Sequence, residues 1–295
     1  MVGCAFKNVD TNHEIFLVDS SFDLRQPREA QRLVAYYEPD EIIHLAAKVG
    51  GLKANSEYMA DFFYDNIMIN TNLLQCAKEK KVSKVVSLLS TCIYPDKTSY
   101  PLSANNVHKG EPHDSNFGYA YAKRMLDVHS RALRQQCGCN FITAVPNNLF
   151  GENDNFDLHN SHVIPAMIRK IYEAKRDGTD VTMWGDGSPL REFTYAEDIA
   201  QALLFLLEDY NESDPINIGN TGEISIKELA RTIAHILDFR GKVIWDTDKP
   251  NGQHRKPSDN AAFLALSNMV YTPLDEALKK TCEWFIMNYP NVRGV

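Results

Sequence analysis

Two kinds of hydrophobic run alternate along the first half of the chain. Short stretches that are apolar at almost every position, Glu14–Val18, Glu41–Ala46, Lys84–Ser90 and Asn140–Pro146, read as strands buried on both faces. Between them lie longer segments with apolar residues at helical spacing: Glu29–Tyr37, a stretch from about Asp61 to Glu79, and Tyr119–Gln135. Strands that are apolar on both faces and alternate with helices predict a parallel sheet covered on both sides. Right-handed crossovers then give a doubly wound α/β, Rossmann-like fold, with its ligand cleft at the C-terminal ends of the strands.

The texture changes after Gly151. Glu152–Ser161 is polar and turn-rich and reads as a loop. A helix is expected at about Val163–Arg176, and short strands at Val181–Trp184, Pro215–Gly219 and Lys242–Asp246. Helices are expected at Ile226–Leu237 and Leu274–Asn288. This pattern divides the chain into a dinucleotide-binding unit over residues 1–150, with 192–220 returning to it, and a smaller α/β unit over 151–295 that mainly holds substrate.

Composition narrows the choice of partner. The chain has 295 residues, 44% hydrophobic and 24% charged, enough for a large core, and a net charge of −8 without a long basic run. Nucleic acid and anionic membrane are poor partners for such a surface, and an anionic ligand needs a local cationic pocket. The six cysteines, Cys4, Cys76, Cys92, Cys137, Cys139 and Cys282, form no CxxC pair and no framework. They read as reduced thiols of a cytoplasmic protein, without a metal site. No apolar stretch approaches the ~20 residues of a membrane span, and no signal peptide precedes the first strand.

The chemistry-bearing cluster is Ser90, Tyr119 and Lys123. Tyr119 and Lys123 stand four residues apart on a predicted helix, so phenol and ammonium share a face. A cation there lowers the pKa of the phenol toward neutrality, and such a tyrosine can protonate a carbonyl while hydride arrives at carbon. Ser90, at a strand end, can bond the same carbonyl oxygen. A lysine beside a tyrosine is by itself commonly a solvated face; the upstream serine gives the pair its meaning as a short-chain dehydrogenase centre. Tyr121 faces elsewhere on the helix and reads as packing.

Ser90-Thr-Cys92-Ile-Tyr-Pro95 resembles the signature of the GDP-fucose synthases, within the extended short-chain dehydrogenase superfamily. So do Leu45-Ala-Ala-Lys-Val-Gly-Gly51, Asp154-Asn-Phe156, Ser161-His-Val-Ile-Pro165 and Trp184-Gly185. The resemblance covers essentially the whole chain. It implies a homodimeric, NADP-dependent enzyme that epimerises GDP-4-keto-6-deoxy-D-mannose at carbons 3 and 5 and then reduces carbon 4. It implies that Tyr119 donates the proton for reduction with Lys123 as partner, and that Cys92 and His162 exchange the protons at carbons 3 and 5. Lys170, Trp184, Arg191, Asn251 and Lys256 match substrate-holding positions, with lysine at 170 where some members carry arginine. Leu45, Ala46, Ala47, Leu88, Leu89, Ser90, Lys123, Asn147, Asn148, Leu149 and His162 match the cofactor-side segments. The dimer would pair the helices around Asp61–Glu79 and Tyr119–Gln135.

The sequence departs from the pattern at its start. Met1-Val-Gly3-Cys-Ala5 matches only the last piece of the Gly-rich turn, so Gly3 stands as its final glycine, and the first strand is missing. Two explanations are open: a gene product that begins earlier, or a short chain that binds cofactor poorly. Asp19, Ser20 and Ser21 occupy the ribose-recognition region, which leaves NAD open beside NADP, and Asp23-Leu24 resembles the adenine side. Two rivals remain: another nucleotide-sugar epimerase or dehydratase, disfavoured because Cys92 and Ile93 stand where a dehydratase carries an acid–base pair, and a non-enzymatic paralogue.

Overall fold

The fold is known from a computed structural model that describes residues 1–249 and 251–295, without the side chains of Leu52 and Lys53. Its helices are α1 (Val2–Ala5), α2 (Pro27–Tyr37), α3 (Leu52–Glu57), α4 (Met59–Glu79), α5 (Phe117–Cys137), α6 (Val163–Asp177), α7 (Ala196–Asp209), α8 (Ile226–Ile236), α9 (Ala261–Ser267) and α10 (Leu274–Asn288). Its strands are β1 (Glu41–His44), β2 (Lys84–Leu88), β3 (Asn140–Pro146), β4 (Asn148–Phe150), β5 (Val181–Trp184), β6 (Leu190–Tyr195), β7 (Ile216–Ile218), β8 (Glu223–Ser225) and β9 (Val243–Asp246).

The central sheet is parallel, in the order β1-β2-β3-β7. Its two faces divide the apolar residues of each strand between them, as a period of two requires. Val85, Phe141 and Val145 pack on Leu33, Leu74, Leu126 and Leu133 of α2, α4 and α5. Val86, Ile142 and Ala144 pack on Ile199, Leu203 and Leu206 of α7, with Val2 and Ala5 of α1 beside them. A second core joins α6, α8 and α10 to β5 and β6, and two smaller sheets, β4-β6-β8 and β5-β9, lie with it. Helices on both faces of a parallel sheet are the doubly wound arrangement expected.

One predicted strand does not form. Glu14–Val18 runs extended and pairs with no strand, and Phe16 is 53% exposed. An apolar run becomes a strand only where a neighbour offers backbone partners, and among the described residues none borders it. The expected strand 41–46 ends at His44, which frees Leu45–Ala47 as a crest above the sheet. Strands β4, β6 and β8 and helices α1, α3, α7 and α9 had no counterpart among the expected elements. No helix among the described residues is long and apolar enough to cross a membrane.

Candidate active site

The site is built on the end of β2. There the chain leaves the sheet in a 3₁₀ turn, Thr91–Ile93, capped by Ser90, whose Oγ accepts from the Cys92 backbone N–H at 3.4 Å. Arg124 holds this turn from below, donating to the Ile93 carbonyl at 2.6 Å and to the Gly110 carbonyl at 2.6 Å. Helix α5 brings up Tyr119 and Lys123, both buried. Tyr119 packs edge-on against Phe62 of α4, with ring centroids 6.4 Å apart, and Cys92 lies against the same small cluster. The close approach of α4 and α5 here depends on Gly118, where a Cβ would fall 2.4 Å from the Met59 carbonyl oxygen.

The electrostatics correct one expectation. Burial, reinforced by Cys92, holds the Tyr119 phenol well above its ordinary pKa, and the Ser90 hydroxyl bonded to it offsets this only in part. The Lys123 ammonium donates to the Leu88 carbonyl at 2.7 Å. Burial brings Lys123 itself down to about 8. Burial lowers the Arg191 guanidinium from its ordinary pKa, opposed by Tyr100 and then by Cys92.

His162 is the residue before α6, and it is exposed. The Gly50–Gly51 loop links Phe62 to the neighbouring Ser161. A Cβ at Gly50 would touch Phe62 and one at Gly51 would lie 3.0 Å from the Ser161 carbonyl. The Gly51 N–H donates to Asn160 at 3.2 Å. Asn66 of α4 pins the start of the same loop, accepting from the Lys48 N–H at 3.1 Å and donating to the Lys48 carbonyl at 3.0 Å. Behind His162, Asp154 is buried and its carboxyl is raised by that burial, opposed by His162 and Arg293. The far end of the chain clamps this loop: the Phe156 N–H donates to the Arg293 carbonyl at 2.8 Å, and Arg169 donates to both the Phe156 and Gly294 carbonyls, at 3.0 and 2.7 Å.

The remaining expected residues fall into groups. Trp184, 55% exposed at the end of β5, stands near the Lys249 ammonium, and Lys170 of α6 donates to the Thr182 carbonyl of that strand at 3.4 Å. Asn251 is fixed beside Gly185, accepting from the Asp186 N–H at 2.8 Å. Arg191 donates to the Gln253 carbonyl at 2.6 Å, and Lys256 is half-buried on the same segment.

The expected cofactor-side residues lie at or just beyond the strand ends. Leu45, Ala46 and Ala47 follow β1, Leu88, Leu89 and Ser90 end β2, and Asn147, Asn148 and Leu149 follow β3. Gly3 stands at the start of α1, where an added Cβ would meet only Leu45, so a backbone can be approached closely there. Asn147 is already committed, accepting from Thr194 at 2.6 Å and donating to Asn220 at 2.7 Å, while Asn148 donates to the Glu192 carbonyl at 2.8 Å. Asp19 and Ser20 lie on the exposed segment after Glu14–Val18, and the Asp19 carboxylate accepts from the Ser21 N–H at 2.9 Å. Asp23 is paired with Arg25 at 2.8 Å, and Asn72 holds the Leu24 carbonyl at 2.9 Å. Arg25, passed over in the sequence, is paired with Asp23 and reaches Asp65 of α4 at 3.5 Å.

A doubly wound parallel sheet with serine, tyrosine and lysine at its strand ends defines a short-chain dehydrogenase-type oxidoreductase. Residues 7–219 match the model of the NAD dependent epimerase/dehydratase family. The chain is 43% identical to a GDP-L-fucose synthase of Dictyostelium discoideum over 292 residues, covering 97% of this chain and 91% of the other. It is 35% identical to that of Escherichia coli K12, covering 96% and 89%. A crystal structure of a Naegleria fowleri GDP-L-fucose synthetase bound to NADP superposes with a TM-score of 0.90 at 40% identity, covering 94% and 86%. The chain belongs to the GDP-L-fucose synthases of the NAD dependent epimerase/dehydratase family.

Proposed function

We propose that the chain converts GDP-4-keto-6-deoxy-D-mannose to GDP-L-fucose by epimerisation at carbons 3 and 5 followed by NADPH-dependent reduction at carbon 4. The observation that carries this reading is the meeting of Ser90, Cys92, Tyr119 and Lys123 at the end of β2, beneath Phe62 and within reach of the Arg191 charge. When bound, NADPH would supply the hydride that reduces the ketone; Lys123, the strand-end residues, Gly3 and the Asp19–Leu24 segment would hold it.

The ketone acidifies the C–H bonds at carbons 3 and 5. Cys92 takes a proton from one face and His162 returns one to the other, inverting each centre. Tyr119 and Ser90 then bond the ketone oxygen, and the tyrosine gives it a proton as hydride arrives. The raised affinity of Tyr119 for its proton keeps it neutral and ready to donate. Trp184, Lys170, Arg191, Asn251 and Lys256 hold the GDP-sugar, the basic members facing its pyrophosphate. Residues 1–150 with 192–220 serve the cofactor, and 151–295 mainly the substrate. Tyr58, Phe63 and Tyr64 at the start of α4, and Phe117, Met125 and Val128 on α5, are exposed apolar residues that suit a homodimer built on these helices. Six free cysteines suit a reducing compartment, and cytosolic placement is part of the same proposal.

The test separates the two half-reactions. Tyr119→Phe is expected to lower reduction by about 10²–10⁴-fold while hydrogen exchange between solvent and the sugar continues. Cys92→Ser is expected to stop that exchange. Exchange at the parent rate in Cys92→Ser would remove this base from the account.

A further inference from the structure

The turn that carries Cys92 and the segment that carries Lys256 meet at one buried amide, that of Asn217. On β7, Ile216 and Ile218 pack with α7, so by the alternation of a strand Asn217 points to the opposite face of the sheet. It is 3% exposed, and each polar atom of its side chain is bonded. Asn217 Nδ2 donates to the Leu102 carbonyl at 2.8 Å and to the Asp259 carbonyl at 3.1 Å, and Oδ1 accepts from the Tyr94 hydroxyl. Carbonyls can only accept, so the amide nitrogen has to face them, the amide oxygen is left for the phenol, and the phenol has to donate. Burial holds the Tyr94 phenol above its ordinary range, so it keeps the proton it donates. A buried strand position ordinarily carries an apolar residue, and an amide is tolerated there only when its atoms are bonded in this way.

The partners lead to different parts of the site. Tyr94 closes the Thr91–Ile93 turn, its N–H donating to the Thr91 carbonyl at 3.4 Å, and stands two residues after Cys92. Leu102 and Asp259 lead to the segment assigned to the GDP-sugar. The Leu102 N–H donates to the Pro257 carbonyl at 2.7 Å, next to Lys256, and the Asp259 N–H donates to the Leu102 carbonyl at 3.0 Å. The other end of this segment is held by Arg191 through the Gln253 carbonyl. An exposed bond from Gln253 Nε2 to Asp96 Oδ1, 2.9 Å long, runs beside the buried junction, where water competes for both partners.

We propose that Asn217 is a positioning residue for epimerisation, fixing the turn that bears Cys92 against the segment that holds the GDP-sugar. The proposal rests on the reading of Cys92 as proton carrier and of Lys256 as a substrate contact. Asn217 acts through Tyr94 and through backbone, not on the sugar. Proton removal needs the thiol and the C–H bond in fixed alignment, and a misplacement of about 1 Å costs about 10²-fold. Reduction depends less on the junction, because Tyr119 and Lys123 are carried by α5.

The two ends of the amide can be released separately in the full chain. Tyr94→Phe removes the bond to the turn and leaves both bonds to the segment. Asn217→Asp keeps an acceptor for the phenol and, ionised or neutral, cannot donate to both carbonyls. In Tyr94→Phe, hydrogen exchange at carbons 3 and 5 of GDP-4-keto-6-deoxy-D-mannose, followed by NMR at saturating sugar, is expected to slow about tenfold. Its KM, and its reduction of a sugar already epimerised, stay at parent values. In Asn217→Asp the KM for the GDP-sugar is expected to rise about tenfold, in exchange and in reduction alike. Parent behaviour in both variants would overturn the junction, and so would one common pattern of loss in both, which marks a general loosening of the fold. Tyr94→Phe is the milder change and decides alone if the aspartate chain does not fold: exchange at the parent rate would then end the proposal. A parent chain that neither exchanges nor reduces would remove the functional reading itself, and this role with it.

Discussion

The phenol proposed to surrender a proton, Tyr119, sits in surroundings that make it hold on. Burial raises it, and the ammonium expected to lower it is bonded to a backbone carbonyl instead. The same burial acts on His44, which is brought from 6.5 to about 4 by desolvation and then by the Lys123 charge. This has a measurable consequence for stability. Between those two values the unfolded chain binds a proton that the folded chain does not. The group is therefore without effect above about pH 6.5, and stability falls as pH drops from there toward 4, by up to about 1.4 kcal/mol per unit. His44→Gln retains an amide donor for Asn70 and removes the titration. Between about pH 7 and 4.5 the parent should lose about 2 kcal/mol more than the variant, read by denaturant unfolding; equal losses would refute the assignment. Spacing picked out Tyr119 and Lys123, which the structure buries on one helix, whereas Cys92 and His162 were singled out only by the family resemblance. Arg124 and Asn66 were not singled out: each is one polar residue whose partners are backbone atoms, and no local pattern marks it.

Elements were legible where their stability is local. Helix α5 and strands β2 and β3 stand where the apolar periodicity puts them, because each buries its own pattern against neighbours present in the chain. Glu14–Val18 has the same kind of pattern but no bordering strand, and the pattern alone does not make it one. Contact between elements also turns on positions the pattern passes over. Gly118 sits inside a helix, where glycine costs about 1 kcal/mol relative to alanine on an open surface. Here the sign reverses. The alanine methyl would lie 2.4 Å from the Met59 carbonyl oxygen, and backbone cannot step aside as a flexible side chain does. Overpacking of this kind costs about 1–3 kcal/mol, which exceeds the propensity gain. Gly118→Ala is thus predicted to lower the unfolding midpoint in urea and, by parting α4 from α5, to weaken reduction. A variant more stable than the parent would show that the helices have room to move.

At the scale of the molecule, the same two helices carry exposed aromatic and aliphatic side chains that nothing among the described residues covers. If that face pairs two copies, Tyr64→Glu with Val128→Glu should halve the mass seen by sedimentation and leave the far-ultraviolet circular dichroism unchanged; a parent already monomeric at micromolar concentration would dispose of the pairing. The clamp on the loop before His162 carries a different consequence. Arg169 ties that loop to residues near position 294, so the placement of one proton carrier depends on a segment more than a hundred residues downstream, while Tyr119 and Lys123 are anchored on the central sheet. Arg169→Ala should therefore uncouple the enzyme's two chemistries, slowing hydrogen exchange about tenfold or more while a substrate already epimerised is still reduced. The overall pace and product purity of this catalyst can thus be tuned from its tail, without touching any group that meets the sugar.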